Sequence, residues 1–367
     1  MFSTLDYQYM AQAIKLAERG LYTTDPNPRV GCVLVRDGQV IGQGWHEYAG
    51  QPHAEINALQ DAANDVTGAT AYVTLEPCSH HGRTPPCSQA LIDAGIARVI
   101  CAMRDPNPLV AGKGIEQLRQ AGIRVEDGLL TAEAEKLNPG FLKRMREQRP
   151  YVRCKLAMSL DARTAMANGE SKWITGPKAR EDVHRLRARS SAIMTGIATV
   201  IADDPLLTYR LDASHGEVSK AAQPLRVILD TQGRLKSEAA LLQQPGKTLV
   251  LTGNSQALSI LQSENVEIRQ VELENNHVAL PAVLQVLAEE QINEVLLEAG
   301  ATLSGTMLQA GLVDELIIYL APVLMGDNAR GLLHLPGLEH MADRMHMRIT
   351  DVRAVGQDWR ITARPES

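Results

Sequence analysis

The sequence lacks any run of eighteen apolar residues, so it encodes no helix that could span a bilayer. Residues 1–6 contain neither a basic segment nor an apolar core, which argues against a secretory signal. Positive charge is also not in excess, because 37 Lys and Arg face 43 Asp and Glu, a formal net charge of −6. Nucleic-acid binding favours a basic surface. We therefore expect neither a membrane nor a nucleic-acid partner.

Cysteine is scarce and odd in number. Its five positions, which show no disulfide-scaffold spacing, are Cys32, Cys78, Cys87, Cys101 and Cys154. This pattern is typical of reduced cytosolic thiols, two of which could hold a metal. We expect a cytoplasmic protein.

A Rossmann-type dinucleotide motif is also missing, because no G-x-G-x-x-G follows a predicted strand. A small-residue segment, residues 298–305, does follow a predicted strand and opens a predicted helix. Main-chain N–H groups at such a place suit a phosphate, although an ordinary strand-to-helix turn has the same composition. Both interpretations stay open.

The chain is long enough for two domains, with 367 residues, 44% of them hydrophobic and 22% charged. A basic segment bracketed by Pro and Gly, residues 138–150, divides two patterns. We place the boundary there, giving domains of residues 1–147 and 148–367, and we expect the charge run to be a solvated face without a binding site.

Hydrophobic periodicity indicates α/β structure in both halves. In the first half, helices alternate with strands, which predicts a three-layer domain. The predicted helices there are 8–19, one that starts at residues 53–55 and continues through 56–59, 88–94 and 114–121, and the strands are 30–35, 40–46, 71–75, 98–103 and 123–125. In the second half the predicted strands are 151–159, 192–196, 225–230, 248–252, 266–271, 294–298 and 316–320, with helices at 177–189, 281–289 and 302–310 and a loop at 212–223.

The strongest chemical signal is the tripeptide His53-Ala54-Glu55, which is followed along the chain by Cys78 and Cys87. One imidazole and two thiolates can hold Zn²⁺ with its fourth position open, where the ion activates a water. Glu55 is then free to move protons. An H-x-E followed by P-C-x-x-C is a signature of zinc deaminases. Here eight residues rather than two separate the cysteines.

Other interpretations of these residues exist. A lone H-x-E is usually accidental, and a single cysteine is more often a small core residue. His80 and His81 are rival ligands, but a predicted helix begins after Cys87, and a helix N-terminus favours a thiolate. A structural zinc module is a further alternative, although such sites usually close with a fourth protein ligand.

Residues 76–87 read EPCSHHGRTPPC, and residues 26–32 read PNPRVGC. These strings resemble the bifunctional deaminase–reductases of riboflavin biosynthesis, a family in which a long loop separates the cysteines. The resemblance covers nearly the whole chain, including residues 155–161, 171–175, 199–210 and 298–305. It implies an N-terminal three-layer, cytidine-deaminase-like zinc domain and a C-terminal α/β domain similar to dihydrofolate reductase.

For the first domain the resemblance implies hydrolytic deamination of a phosphoribosylated diaminopyrimidinone. His53, Cys78 and Cys87 would bind Zn²⁺, and Glu55 would transfer protons. The implied contacts to the pyrimidine nucleotide are Asn27, His46 and Arg83. The planar guanidinium of Arg83 suits a phosphate. A solvated loop cation at Arg83 and a structural histidine at His46 are the alternatives.

For the second domain the resemblance implies reduction of the ribosyl side chain to ribityl with NADPH, and a homodimer through this domain. Lys155 and Glu298 would orient and protonate the substrate, although a buried ion pair without a catalytic part would look the same. The implied substrate contacts are Ser171, Arg187, Leu207, Arg210 and Glu298. The implied cofactor contacts are Ala157, Trp173, Thr199, Asp203, Thr231, Gly300, Ala301, Thr302, Leu303, Ser304, Gly305 and Thr306.

The rival function is a nucleoside, nucleotide or transfer-RNA base deaminase with an unrelated C-terminal domain. The acidic balance and the reductase-like second half count against it. One departure from the family pattern is Ala162, where glycine often follows the Ser-Leu-Asp string. If that turn has a positive φ, we expect a small stability cost and no loss of activity.

Overall fold

The computed structural model describes residues 1–62, 65–79, 86–108, 110–211 and 213–366. The chain divides into two compact units, Met1–Gln148 and Arg149–Ser367. This division lies one residue beyond the boundary predicted from the sequence. Within the described ranges, no helix combines the length and the apolar character needed to cross a membrane.

The first unit is a five-stranded mixed sheet covered by helices. Its strands run in the order β2-β1-β3-β4-β5, with β1 antiparallel to β2 and β3, and with β3, β4 and β5 parallel. The strands are β1 (Gly31–Arg36), β2 (Gln39–Trp45), β3 (Thr70–Val73), β4 (Arg98–Cys101) and β5 (Arg124–Asp127). The helices are α1 (Thr4–Glu18), α2 (Ala54–Asp61), α3 (Cys87–Asp93), α4 (Lys113–Gln120), α5 (Thr131–Leu137) and α6 (Pro139–Glu147).

Both faces of this sheet are buried, and strand β1 shows why. Its side chains alternate, so Cys32 and Leu34 pack with α2, α3 and α4, whereas Val33 and Val35 pack with α1, α5 and α6. The predicted three-layer α/β arrangement is therefore confirmed.

Most of the segment around the predicted boundary is helix α6, a helix that the sequence did not predict, and its charged residues Arg146 and Glu147 are exposed as expected of a solvated face. Pro139 occupies the first helical position, where its missing N–H costs nothing. Phe141 and Leu142 are buried in the core beneath the sheet. Before the helix, Asn138 accepts from the Arg29 N–H at 2.7 Å and donates to the Arg29 carbonyl at 2.9 Å. The basic residues cover only the outer side, so charge count alone hid the apolar side.

The second unit is built on a nine-stranded sheet with the order β11-β10-β9-β8-β14-β6-β15-β18-β17. The strands are β6 (Tyr151–Ser159), β7 (Arg163–Ala165), β8 (Ala192–Gly196), β9 (Leu225–Leu229), β10 (Thr248–Thr252), β11 (Val266–Gln270), β12 (Leu273–Glu274), β13 (His277–Val278), β14 (Glu294–Leu297), β15 (Glu315–Ala321), β16 (Arg330–Gly331), β17 (Met347–Val355) and β18 (Asp358–Pro365). The helices are α7 (Pro177–Ala188), α8 (Ile197–Asp203), α9 (Leu280–Glu289) and α10 (Ala301–Gln309), with 3-10 helices at Ala213–Lys220, Ala240–Gln243, Gln256–Leu261 and Met341–Asp343.

The predicted strands of this half are found within one or two residues, whereas the predicted loop at 212–223 contains the 3-10 helix Ala213–Lys220. From β11 to β15 the strands are parallel, and β17 and β18 run antiparallel at one edge. After β8 the chain continues outward through β9, β10 and β11, then returns to insert β14 beside β8. The order reverses between β8 and β14, and such a reversal opens a crevice at the carboxyl ends of the strands.

Ala162, in the turn between β6 and β7, has a φ of 56°. The condition under which alanine was expected to cost stability at this position is therefore met. A left-handed backbone disfavours any residue with a Cβ, so alanine costs stability here relative to glycine.

Candidate active sites

Helix α2 carries the first part of the zinc motif. His53 is its N-cap residue and Glu55 lies in its first turn. The helix lies directly against β2 because Gly44 has no side chain, and a Cβ there would come within 2.4 Å of the Ala58 nitrogen and 2.6 Å of the Ala54 carbonyl oxygen. The position of His53 therefore depends on a bare backbone in the neighbouring strand.

The two cysteines meet His53 at the other side. Cys78 follows β3, and Cys87 is the first residue of α3. The His53 Nδ1 lies 3.6 Å from the Cys78 Sγ and 3.3 Å from the Cys87 Sγ. All three ligand atoms lie within 4.8 Å of one another. Two sulfurs and one imidazole nitrogen are the donor set that zinc prefers, and three ligands leave one position for water.

The charges of these groups fit a cation as well. The hydrogen bond with the Cys87 thiol is the main cause that lowers the pKa of Cys78 to about 4. The Cys87 N–H also donates to the Cys78 Sγ at 3.3 Å. The Cys78 thiolate in turn raises the pKa of His53 through their hydrogen bond. A thiolate and a second sulfur thus face an imidazole in a half-buried pocket, and a divalent ion would satisfy all three.

Glu55 lies beside these ligands but is not one of the group. Its side chain is only 3% exposed. Burial, partly offset by His53, raises the pKa of its carboxyl to about 7. A carboxyl that can both take and release a proton near neutral pH is suited to general acid–base catalysis.

His46 and Asn27 lie next to His53. The ring of His46 lies 5.2 Å from that of His53. Its Nε2 accepts from the Asn27 side-chain amide at 3.1 Å, and its Nδ1–H donates to the Pro52 carbonyl at 3.1 Å. Burial lowers the pKa of His46, so the ring is neutral. Both nitrogens of this ring are therefore engaged by the protein.

The loop between the cysteines is only partly described. Arg83, predicted to bind a phosphate, and the rival ligands His80 and His81 lie outside the described residues.

In the second unit, Glu298 lies directly after β14 and interacts with two other residues predicted for the reductase site, Arg187 and Lys155. Its carboxylate accepts from the Arg187 Nε at 2.6 Å and from Nη2 at 2.8 Å. Lys155, on β6, interacts electrostatically with both side chains. Burial would raise the pKa of Glu298, but Arg187 and Lys155 together lower it below its usual value. The structure thus brings these three residues into one buried charged cluster.

The predicted cofactor residues follow the carboxyl ends of adjacent strands. Thr231 follows β9, Thr199 lies in α8 just after β8, and Ala157 lies near the end of β6. Gly300 is the N-cap residue of α10, close after β14. These positions flank the crevice between β8 and β14, where α/β sheets bind ligands.

Two of the predicted cofactor residues, Ser304 and Gly305, are buried within α10 and face the interior. The Ser304 hydroxyl donates to the Ala299 carbonyl at 3.3 Å. A Cβ on Gly305 would meet the His334 carbonyl oxygen at 2.0 Å, so this residue packs against main chain. Leu303 lies against Gly196, whereas Ala301 is half-buried and Thr302 and Thr306 are exposed. The expected contact segment is therefore narrower than 300–306, since helical periodicity turns part of it inward.

Of the remaining predicted residues, Asp203 ends helix α8 and the others lie on loops. Trp173 is 72% exposed and lies beneath the Arg180 guanidinium, whose carbon is 4.8 Å from the ring centre. Next to it, Lys172 donates to the Asp203 carbonyl at 3.0 Å, and Ser171 is half-buried. Arg210 is exposed. The Leu207 side chain is buried in a hydrophobic cluster, so it offers a substrate only its main chain.

Sequence reasoning assigned no role to several buried groups. Tyr319 donates to Asp182 at 2.5 Å, and Arg360 pairs with the same carboxylate at 3.1 Å. His184, on α7, accepts from the Arg210 N–H at 3.3 Å. Glu76, in the EPC string, is 3% exposed. These residues come from distant segments, and the local patterns carried no sign of them.

Two family models match this chain. The model described as the cytidine and deoxycytidylate deaminase zinc-binding region matches residues 3–103, and the RibD C-terminal domain matches residues 150–361. The chain is thus similar to one family in each half.

Whole proteins match along their full length. The riboflavin biosynthesis protein RibD of Escherichia coli (strain K12) is 52% identical over 359 residues, 96% of this chain and 97% of that protein. The RibD of Haemophilus influenzae is 49% identical and covers 100% of this chain.

Solved structures agree. Acinetobacter baumannii RibD has a TM-score of 0.92 and 50% identity, with 99% of each chain covered. A Thermotoga maritima protein described as a diaminohydroxyphosphoribosylaminopyrimidine deaminase and 5-amino-6-(5-phosphoribosylamino)uracil reductase has a TM-score of 0.86, 35% identity and the same coverage.

Proposed function

This chain belongs to the RibD family of riboflavin biosynthesis proteins, and from that premise we propose which of its residues carry each reaction. It is a bifunctional enzyme, a zinc-dependent deaminase and an NADPH-dependent reductase. It deaminates 2,5-diamino-6-(5-phosphoribosylamino)pyrimidin-4(3H)-one and then reduces the ribosyl side chain of 5-amino-6-(5-phosphoribosylamino)uracil to ribityl. A base deaminase with an unrelated second domain is not favoured, because the RibD C-terminal domain spans residues 150–361.

The observation that carries the deaminase assignment is the group of His53, Cys78 and Cys87 beside the buried Glu55. When bound by these three ligands, zinc supplies a water activated for attack on the ring carbon that bears the exocyclic amine. Glu55 accepts a proton from that water and returns it to the amine, which leaves as ammonia. The pKa of Glu55, raised by burial to about 7, supports both directions of this transfer.

Substrate binding in the deaminase is assigned to Asn27, His46 and Arg83. Asn27 offers its side-chain oxygen to the pyrimidine, since its amide N–H₂ already donates to His46. With both ring nitrogens engaged, His46 acts as a positioning residue that holds Asn27 and the Pro52 carbonyl. Arg83 binds the ribose phosphate.

In the reductase, bound NADPH supplies the hydride that reaches C1′ of the substrate. As the ribose ring opens, the bond from C1′ to the ring oxygen breaks and Lys155 gives its proton to that oxygen; the pKa of Lys155, lowered by burial, makes proton release easier. Glu298 orients Lys155 and Arg187, and its bidentate pair with Arg187 supports this role. Arg210, with Ser171 and the main chain of Leu207, completes the substrate site.

The cofactor site is assigned to the crevice between β8 and β14. Its residues are Ala157, Trp173, Thr199, Asp203, Thr231, Gly300, Ala301, Thr302, Leu303 and Thr306. The position of most of them after the carboxyl ends of neighbouring strands supports this assignment.

We further assign the protein to the cytoplasm and to a homodimer through the reductase domain. Five free cysteines support the former. Exposed apolar side chains at the sheet edge support the latter, because Ile349 and Val352 on β17 are 60% and 50% exposed. An Ile349→Glu variant that stays dimeric by light scattering would contradict this interface.

The test of both activities is one assay with the diaminopyrimidinone nucleotide. We expect ammonia release with or without NADPH, and NADPH oxidation only once deaminated product has formed. Ammonia without NADPH oxidation would overturn the reductase half. If zinc-loaded protein shows neither ammonia release nor NADPH oxidation, the proposed function for this substrate is overturned.

A further inference from the structure

We propose that Glu76 is a positioning residue for the zinc site, holding Cys78 in place by tying residues 76–78 to the segment that opens helix α4. Glu76 stands two residues before Cys78 and is only 3% exposed. The inference rests on the proposed ligation of zinc by Cys78.

The Glu76 carboxylate accepts four main-chain hydrogen bonds. Its Oε2 accepts from the N–H groups of Asp105 at 3.2 Å and Gly112 at 3.0 Å. Its Oε1 accepts from Gly114 at 3.0 Å and Ile115 at 3.2 Å. Two of these donors belong to the first turn of α4, where a negative charge is favourable. Both oxygens are used as acceptors, which a carboxylate can satisfy and an amide cannot.

The main chain beside Glu76 is held just as closely. A Cβ on Gly114 would lie 1.9 Å from the Pro77 carbonyl oxygen, so α4 touches this carbonyl directly. On the strand side, the Glu76 N–H donates to the Met103 carbonyl at 3.0 Å. The peptide that leads into Cys78 is therefore fixed between the segment that follows β4 and helix α4.

Cys78 itself is held from the opposite side by α3. Its carbonyl accepts from the Ser88 N–H at 3.1 Å and from the Ser88 hydroxyl at 2.9 Å. The same hydroxyl lies 2.8 Å from the Gln117 Oε1 of α4. The sulfur position is thus set by two helices, and Glu76 makes the connection to α4. Groups that orient metal ligands in this way typically change metal affinity by about 10–100-fold when they are removed.

The experiment compares full-length wild type with Glu76→Gln. The glutamine N–H₂ would face two main-chain donors, so we expect zinc affinity, measured by competition with a chromogenic chelator, to fall about 10–100-fold. The sulfur-to-metal absorption of the Co²⁺-substituted protein should change with it. Reduction of pre-deaminated substrate should be unchanged.

The matched control is Asp6→Asn in the same unit. Asp6 is also 3% exposed and accepts from the Ser3 N–H at 2.7 Å and the Tyr72 hydroxyl at 2.8 Å. We expect this variant to lose stability but to keep the zinc affinity and Co²⁺ spectrum of the wild type. Glu76→Asp keeps the charge, so it should recover part of the affinity, and it carries the test if Glu76→Gln does not fold.

Wild-type zinc affinity and Co²⁺ spectrum in the Glu76 variants would overturn the inference, as would an equal loss of zinc affinity in Asp6→Asn. A Cys78→Ser variant distinguishes the positioning role of Glu76 from the proposed ligation of zinc by Cys78. Loss of zinc in Cys78→Ser with tight binding in Glu76→Gln would overturn the role of Glu76 alone. Tight binding in Cys78→Ser would overturn the ligand assignment, and the inference with it.

Discussion

Glu55 combines burial with a position two residues from a metal ligand. We expect Glu55→Gln to lower the rate of ammonia release by about 10²–10⁴-fold, because the amide cannot carry a proton. Zinc content, measured by elemental analysis, should stay stoichiometric, since Glu55 is not a ligand.

Glu116→Gln is a suitable control, because Glu116 is an exposed carboxylate on α4. It should leave ammonia release unchanged. An active Glu55→Gln protein with full zinc occupancy would remove Glu55 from the mechanism.

Glu298 has the corresponding place in the reductase. Glu298→Gln removes the charge that pairs with Arg187 and interacts with Lys155. We expect NADPH oxidation with pre-deaminated substrate to fall by at least about 10²-fold. Ammonia release should persist.

The matched control is Glu267→Gln, because Glu267 also pairs with an arginine, Arg269, but is 52% exposed. Exposed pairs contribute about 0–1 kcal/mol, so stability and activity should hardly change. If both variants behave alike, the buried pair has no special role in the reaction.

At the scale of elements, helix α7 is joined to the loop that carries Arg210 through His184. The His184 ring accepts from the Arg210 N–H, and burial together with Arg187 and Arg210 lowers its pKa to about 4. Glu298 also faces this ring and opposes that shift. The folded protein therefore holds the His184 ring in its neutral form at neutral pH.

The resulting pH dependence has a definite sign. Between pH 6.5 and about pH 4, His184 is protonated in the unfolded state but neutral in the folded state. The free energy of unfolding therefore decreases as the pH is lowered through this interval. Because the ring is only half-buried, we expect a contribution of about 1–2 kcal/mol. Urea titrations of wild type and His184→Gln from pH 7 to pH 4 measure it. Parallel curves would contradict the assignment.

At the scale of the whole molecule, the two reactions belong to separate compact units. The three proposed zinc ligands all lie in Met1–Gln148, and the Lys155, Arg187 and Glu298 cluster lies in Arg149–Ser367. We expect zinc removal by a chelator to stop ammonia release while NADPH oxidation with pre-deaminated substrate continues. Added zinc should restore the first reaction. Loss of both activities on chelation would show that the reductase also depends on the metal.

The sequence by itself determined the features that depend on neighbours in the chain. Period-two and helical patterns located most strands and helices to within a few residues, because each element needs only its own buried face. The H-x-E and Pro-Cys strings located His53, Glu55, Cys78 and Cys87, because each string consists of neighbouring residues in the chain. At Ala162 the sequence pointed only to a possible conflict between alanine and a positive φ, and the φ itself had to come from the structure.

Only the tertiary structure decided which distant groups meet. Helix α6 was not predicted, because Phe141 and Leu142 have a core only after the sheet forms. The four donors to Glu76 come from residues 29 to 39 positions away, and Arg187 reaches Glu298 across 111 positions. Such contacts follow from how the strands are ordered and how closely the helices approach them. A local sequence pattern contains no information about the strand order or about the distance between helices and sheet.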